Sequence, residues 1–344
     1  MQLHDTPIRW PERTSGRDGG HLHRAAGTGV RAVNKGATPA CPPLRSGPAF
    51  HLVHRSPSWD HYAVDAPSRG EEHFAVSAEL RTEQGPDGDR QGHFHDWQFL
   101  TGLVLDAGGF VARTYFGVPS YLPTQFRLFE LDLHDPAAWR AGNGRALIDG
   151  ELRVQPSLAL DGAPHRVEIE GAVSLDSAPC ARIRATLGFL VPIPMGVPEP
   201  AGPGLPVHPR EVGRVSPGSV LLGTPALSSY GRLTSPVLIP LDTPGSGTEP
   251  GRAVPDLTVV EVIRQASLLC AGLTCGLRPE RSVTAALSVR RRGAAVVGAP
   301  LHCTAVPGTL TVDAYGYPRV PVVLTIHQEG RVVVEATAEV HQDF

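Results

Sequence analysis

Lysine is nearly absent from this chain of 344 residues: Lys35 is the only one, and the other 30 of the 31 basic residues are arginine. Together with abundant Ala, Gly and Pro, that bias points to GC-rich coding rather than to a function. Cysteine is sparse as well. Cys41, Cys180, Cys270, Cys275 and Cys303 show no Cys-x-x-Cys spacing, which argues against a disulfide framework and reads as reduced, mostly buried thiols. No apolar run approaches the roughly 20 residues of a membrane helix, and Met1 to Ser46 carry no apolar core of the signal-peptide kind. The expected location is the cytoplasm, with no membrane partner. A net charge of −3 supplies no broad electrostatic reason to bind nucleic acid.

What the chain does have is the same pattern twice. Val53, Arg55 and Pro57 line up with Val212, Arg214 and Pro217 after one inserted residue, and Arg214 lies 214 − 55 = 159 positions after Arg55. The same shift carries Gly102, Leu105, Asp106 and Ala107 onto Glu261, Arg264, Gln265 and Ala266, inside two apolar segments that each read as a helix. Late in each copy a polar residue and a glycine form a turn: Asp161 and Gly162, then Glu329 and Gly330, at a drifted offset of 330 − 162 = 168. A tandem duplication is the economical explanation, since a long internal period reports architecture.

Residues 1–48 lack periodicity and are expected to be disordered. The first unit spans 49–191, a Pro- and Gly-rich linker 192–209, and the second unit 210–344. Each unit reads as strand, loop, one long buried helix, then several strands. In the first, the helix is expected over Trp97 to Tyr115, with strands at His73–Leu80, Gln125–Asp132, Gly150–Leu158, His165–Leu175 and Arg182–Val191. In the second, the helix is expected from about Leu257 to Leu273, with strands at Val237–Leu241, Thr284–Val289, Ala294–Ala305, Val320–His327 and Arg331–Val340. The implied class is α+β, a sheet wrapped around a central helix. Two such units can share a core by pairing edge strands, as a monomer with a pseudo-dimeric core or as a homodimer.

That order resembles the A-factor biosynthesis (AfsA) family, whose members carry two hot dog domains in tandem. The resemblance rests on Val212, Gly213, Arg214 and Pro217, on Val260, Glu261, Arg264, Gln265 and Ala266, on Phe116 to Pro119, and on Gln328 to Val332, and it covers about His51 to the C-terminus. It implies a pseudo-dimeric double hot dog protein acting on acyl thioesters. The family's activity transfers a β-ketoacyl group from an acyl carrier protein or coenzyme A to the hydroxyl of dihydroxyacetone phosphate, toward γ-butyrolactone or furan signals. No cofactor beyond the acyl-phosphopantetheine or acyl-CoA substrate is implied. Two departures stand out: Gly102, Leu105 and Asp106 replace the polar residues in the first unit, and no histidine lies between Pro209 and Cys270.

The chemistry centres on Glu261, a carboxylate among Val259, Val260, Val262 and Ile263. Facing a substrate tunnel, burial would raise its pKa and make it a candidate general base; the plainer reading is an ion pair with Arg264, three residues on. Arg264 is a candidate holder of a phosphate or carboxylate on the acceptor, and Gln265 a candidate donor to a thioester carbonyl. The helix start at Asp256, Leu257 and Thr258 offers N–H groups suited to polarising that carbonyl. A rival site pairs His95 with Asp106, as in a dehydratase or thioesterase-like enzyme. His93, His95 and Asp96 find no third metal ligand by spacing, and Asp96 also reads as a helix N-cap. A third reading is an acyl-binding protein without turnover. Arg290 to Arg292 read as a solvated turn or a greeting surface for an acidic carrier, and Cys270 and Cys275 as core.

Overall fold

The computed structural model describes residues 8–9, 50–55, 68, 70–81, 93–141, 145–160, 162–189, 204–240 and 250–343. Apart from Ile8 and Arg9, the stretch 1–48 lies outside them, as do the loop at 84–92 and most of the proposed linker. The elements run β1 (Ile8–Arg9), β2 (Phe50–His54), β3 (Glu72–Arg81), α1 (Gln98–Phe116), β4 (Thr124–Leu133), β5 (Arg145–Leu158), β6 (Pro164–Leu175) and β7 (Ala178–Phe189). The second half follows with β8 (Ala226–Leu227), β9 (Leu233–Pro236), α2 (Asp256–Cys275), β10 (Ser282–Arg291), β11 (Leu301–Pro307), β12 (Thr311–Val312), β13 (Pro318–Gln328) and β14 (Arg331–Gln342).

The two helices contain no proline, and each ends on a glycine in the left-handed region, Gly117 at φ 71° and Gly276 at φ 73°. These caps are 276 − 117 = 159 residues apart, the offset that relates the two copies in sequence. Each helix buries one face on the sheet: Leu100, Leu103, Val104 and Val111 from α1, and Val260, Ile263, Ala266 and Leu269 from α2. Each fully buried aliphatic side chain of this size contributes roughly 1.5–3 kcal/mol. α2 is long and apolar enough to cross a bilayer by length and composition, and 78% of that apolar window is buried inside the protein.

All strands join one antiparallel sheet in the order β1-β2-β3-β5-β6-β7-β4-β10-β14-β13-β11-β9-β8, with β12 paired to β13. From β2 to β8 the order is a palindrome. The strand before the helix, the three after β4 and β4 itself recur in mirrored sequence on the far side of the β4–β10 seam, where Leu131 pairs with Leu287 and Phe129 with Val289. α1 packs on β4 to β7 and α2 on β10, β11, β13 and β14. A long helix wrapped by an antiparallel sheet is the hot dog fold, of class α+β as expected.

Three local expectations are corrected. The strand expected at Ala294–Ala305 starts only at Leu301, as β11. The second-half strand expected at Val237–Leu241 is Leu233–Pro236 instead; Pro236 and Pro240 lack the N–H a ladder needs, leaving Val237 one bridge to Leu222. The turn at Gly162 joins β5 to β6, whereas Glu329 and Gly330 join β13 to β14. By strand order the true counterpart is the β6–β7 turn, Asp176 and Ser177. Both turns place two residues at positive φ, Asp176 at 49° and Ser177 at 70°, Glu329 at 50° and Gly330 at 74°, which suits the twist of a tight hairpin. A polar-glycine pair marks a turn without saying which hairpin it closes.

Gly276 offers a clean test of the cap. A Cβ there meets nothing within 4 Å, so Gly276→Ala carries only the left-handed backbone penalty. It should lower stability by about 1 kcal/mol, read as a shifted urea midpoint with an unchanged slope.

Candidate functional site

Glu261 lies on the α2 face turned away from the sheet and is 6% exposed. Five donors converge on its carboxylate. Arg264 clasps it with Nε to Oε2 at 2.7 Å and Nη2 to Oε1 at 2.8 Å, and Arg214 Nε reaches Oε1 at 2.7 Å. Gln98 Nε2, from the first turn of α1, donates to Oε2 at 2.5 Å, and Gln265 Nε2 to Oε1 at 2.5 Å. Burial pushes this carboxyl up, but the Arg214 and Arg264 guanidiniums and their hydrogen bonds outweigh it, and the net value falls to about 2. The general-base expectation needed a raised pKa, and here the direction is downward, with five donors on the two carboxylate oxygens.

The cluster also ties down the segment entering the second half. Arg264 Nη2 donates to Val212 O at 3.3 Å, Gln265 Nε2 to Ser219 O at 2.7 Å, and Leu221 N to Gln265 Oε1 at 2.9 Å. With its amide committed to Glu261, Ser219 and Leu221, Gln265 is not a donor to a thioester carbonyl as expected. Arg214 further reaches Asp96 Oδ2 and Gln98 Oε1, both at 3.4 Å. Gln98 and Arg214 are the site residues that sequence reasoning missed. Arg214 stood in the duplicated motif as a marker, and its setting between Val212 and Val215 was the available sign that it needs a buried partner.

Beside this cluster is a small cleft of about 30 Å³, lined by His95, Asp96 and Trp97 at the approach to α1, by Gly213 and Arg264, and by Ser282 to Thr284 at the start of β10. It has room for a water-sized group. Glu261 does not line it. Arg264 does: its Nη1 has no hydrogen-bond acceptor among the described residues and lies 3.4 Å from where a Cβ on Gly213 would sit. Gly213 has φ 65°, a conformation and a closeness that both favour glycine.

His95 lines the same cleft, held by its backbone N–H to Trp139 O at 2.8 Å. Burial keeps its imidazole below the usual histidine range, with the Asp176 charge pulling the other way. That direction favours the neutral ring, which has a nitrogen able to accept a proton. Asp106, its expected acid partner, does not meet it. That carboxyl sits eight residues into α1 on a face shared with Arg113; burial raises it to about 6, against the pull of Arg113.

Asp256 is likewise corrected. Its Oδ2 accepts from Phe126 N at 2.8 Å, and its Oδ1 lies 2.7 Å from Arg291 Nη2. Burial raises this carboxyl, opposed by Arg291 and the Phe126 amide. The pair pins the start of α2 to β4 and β10, and the cleft does not reach Asp256, Leu257 or Thr258. The helix start beside the cleft is that of α1. Arg290 to Arg292 alternate as strand residues do: Arg291 turns inward onto Asp256 and over the Phe126 ring at 5.2 Å, while Arg292 pairs outside with Glu335 at 2.7 Å. Cys270 and Cys303 are buried, with thiols pushed up to about 11 and about 12 by burial, which suits core packing.

The chain matches no family model and no curated protein in sequence. Among solved structures it is similar to the 12:0-ACP thioesterase from Umbellularia californica (11% identity, TM-score 0.47, 79% of this chain and 94% of that one). It is also similar to a putative oleoyl thioesterase from Lactobacillus plantarum (11%, 0.46, 77% and 95%), and to a hot dog protein of unknown function from Alicyclobacillus acidocaldarius (10%, 0.41, 78% and 93%). All three scores lie below 0.5, so the fold stands on its own strand order and helix placement.

Two outcomes are expected. Glu261→Ala strands two buried guanidiniums and should cost about 3–5 kcal/mol of stability, measured by chemical denaturation at pH 7; because the folded value lies below the unfolded one, this contribution is lost as pH falls toward 2. Asp106 has the opposite sign: its folded value is above 3.8, so its ionisation opposes folding, and the penalty grows from pH 4 to 6 and is complete above. Asp106→Asn should raise the urea midpoint at pH 8 and leave it nearly unchanged at pH 3.5.

Proposed function

We propose that this chain is two hot dog domains, 49–191 and 210–344, closed on each other as a pseudo-dimer within one polypeptide, and that it processes acyl thioesters in the cytoplasm. The observation that carries the reading is the cleft between the start of α1 and α2. There a guanidinium braced by Glu261 presents Nη1, and an imidazole, His95, lines the same cleft. The AfsA-like motif of α2 supports the finer reaction: transfer of a β-ketoacyl group from an acyl carrier protein or coenzyme A to a small hydroxylated acceptor such as dihydroxyacetone phosphate.

In that reaction Arg264 Nη1 donates to the thioester carbonyl oxygen as negative charge grows on it. His95 takes the proton of the acceptor hydroxyl as its oxygen bonds to the carbonyl carbon. The carbon–sulfur bond breaks, and the thiol leaves with a proton returned from the imidazolium. Glu261 and Gln265 position Arg264 and the entry segment instead of touching substrate. The cleft suits a carbonyl group rather than an acyl chain. A second reading, thioesterase-like hydrolysis, is favoured by the same free imidazole, since water can stand where the acceptor hydroxyl would.

The test incubates β-ketoacyl carrier protein with the protein and dihydroxyacetone phosphate, followed by mass spectrometry of carrier and acceptor. Acyl-acceptor product is expected, reduced about 100-fold or more by His95→Ala and strongly by Arg264→Lys. Free acid without acylated acceptor selects hydrolysis; an intact acyl carrier after long incubation rejects both.

A further inference from the structure

His95 does not stand on a long strand. It belongs to a short ladder ahead of α1 in which His95 N donates to Trp139 O at 2.8 Å and Ala141 N to His93 O at 2.9 Å, with a bridge between Phe94 and Arg140. So short a ladder holds few bonds of its own and needs a clamp to keep a side chain in place. The clamp comes from the far end of the sequence. Asp343, just beyond β14, is 7% exposed and grips both strands at once: His93 Nε2 lies 2.5 Å from Oδ2, and Arg140 donates through Nε to Oδ2 at 2.5 Å and through Nη2 to Oδ1 at 2.7 Å. Its own backbone N–H is held by Arg281 O at 2.8 Å, and His93 N donates to Glu280 O at 3.3 Å. Both acceptors lie in the turn that leads into β10, and Glu280 also lines the cleft.

We infer that Asp343 is a positioning residue of the cleft, acting through His93 and Arg140 to hold His95 in place, so that the C-terminal end of the second half completes a site whose imidazole belongs to the first. The inference rests on the reading that His95 moves the proton. The titratable groups that share the cleft with His95 are His93 and Asp96 of its own segment, Arg264 of α2 and Glu280 ahead of β10, and Asp176 of the β6–β7 turn acts on its charge; of these, His93 touches Asp343 directly.

The test uses the full chain with Asp343→Ala and Asp343→Asn, reading kcat and KM for acyl-thioester consumption and the His95 imidazole titration by NMR, assigned with His95→Ala. Loosening the ladder should lower kcat in Asp343→Ala about 10-fold or more with KM within about 2-fold. The His95 midpoint should rise toward an ordinary histidine as water enters. Asp343→Asn, which keeps one acceptor oxygen, should fall between, and it carries the test if the alanine variant does not fold. Unchanged kcat and an unchanged His95 midpoint in the folded variant would overturn the inference. If the natural chain consumes no thioester, the proposed reaction fails, while the His95 titration still decides whether Asp343 positions that ring.

Discussion

An ionised carboxylate survives among aliphatic side chains only where opposite charge and donors are brought to it, and much of this molecule's internal layout answers that demand at Glu261. Two guanidiniums neutralise it, one from its own helix and one from the entry segment, and an amide from each helix takes what remains. Because Gln98 belongs to α1, the same contact joins the two halves away from the β4–β10 seam. Because Arg264 is clasped through Nε and Nη2, its Nη1 is left at the wall of the cleft. The carboxylate thus braces a group at the cleft wall without lining the cleft itself.

The positions of the first half that align with this cluster in sequence carry no such demand. At the position of Glu261 the first half has Gly102, where a Cβ would meet nothing within 4 Å. Its matching arginine, Arg55, is exposed, whereas Arg214 is 5% exposed. The sequence match does not survive in space: Arg55 follows β2, whereas Arg214 precedes β8, the mirror counterpart of β2. Asp106, standing where the second half has Gln265, keeps a carboxyl on α1 but has only Arg113 to favour its charge. The polar cluster thus stands on α2, while the aligned positions of α1 hold Gly102, Leu105 and Asp106.

The fold was largely legible in the residues. Period-3.6 patterns found both helices to within two residues at each end, and the offset of 159 returned in the spacing of the glycine caps, because burial of one helix face and a left-handed stop are local requirements. Prolines blurred the strand before α2, and a polar-glycine turn matched the wrong hairpin. The site was half legible: a carboxylate at Glu261 among valines announces a buried charge, and Arg264 three residues on announces a partner. Gln98 lies 163 positions earlier in the chain and Asp343 lies 250 positions after His93, so nothing local marks either contact.

The sequence by itself determined that two copies of a sheet-and-helix unit would form, and that one helix would carry a buried acid with its arginine, since periodicity and desolvation act along a single element. Tertiary structure alone decided which of these groups meet. It set five donors around Glu261, which hold its carboxyl low where a base would need it raised; it separated His95 from Asp106; and it brought the end of β14 to the ladder bearing His95. Those outcomes depend on distances between elements remote in the chain, and a carboxylate's pKa follows what surrounds it in space rather than what adjoins it in sequence.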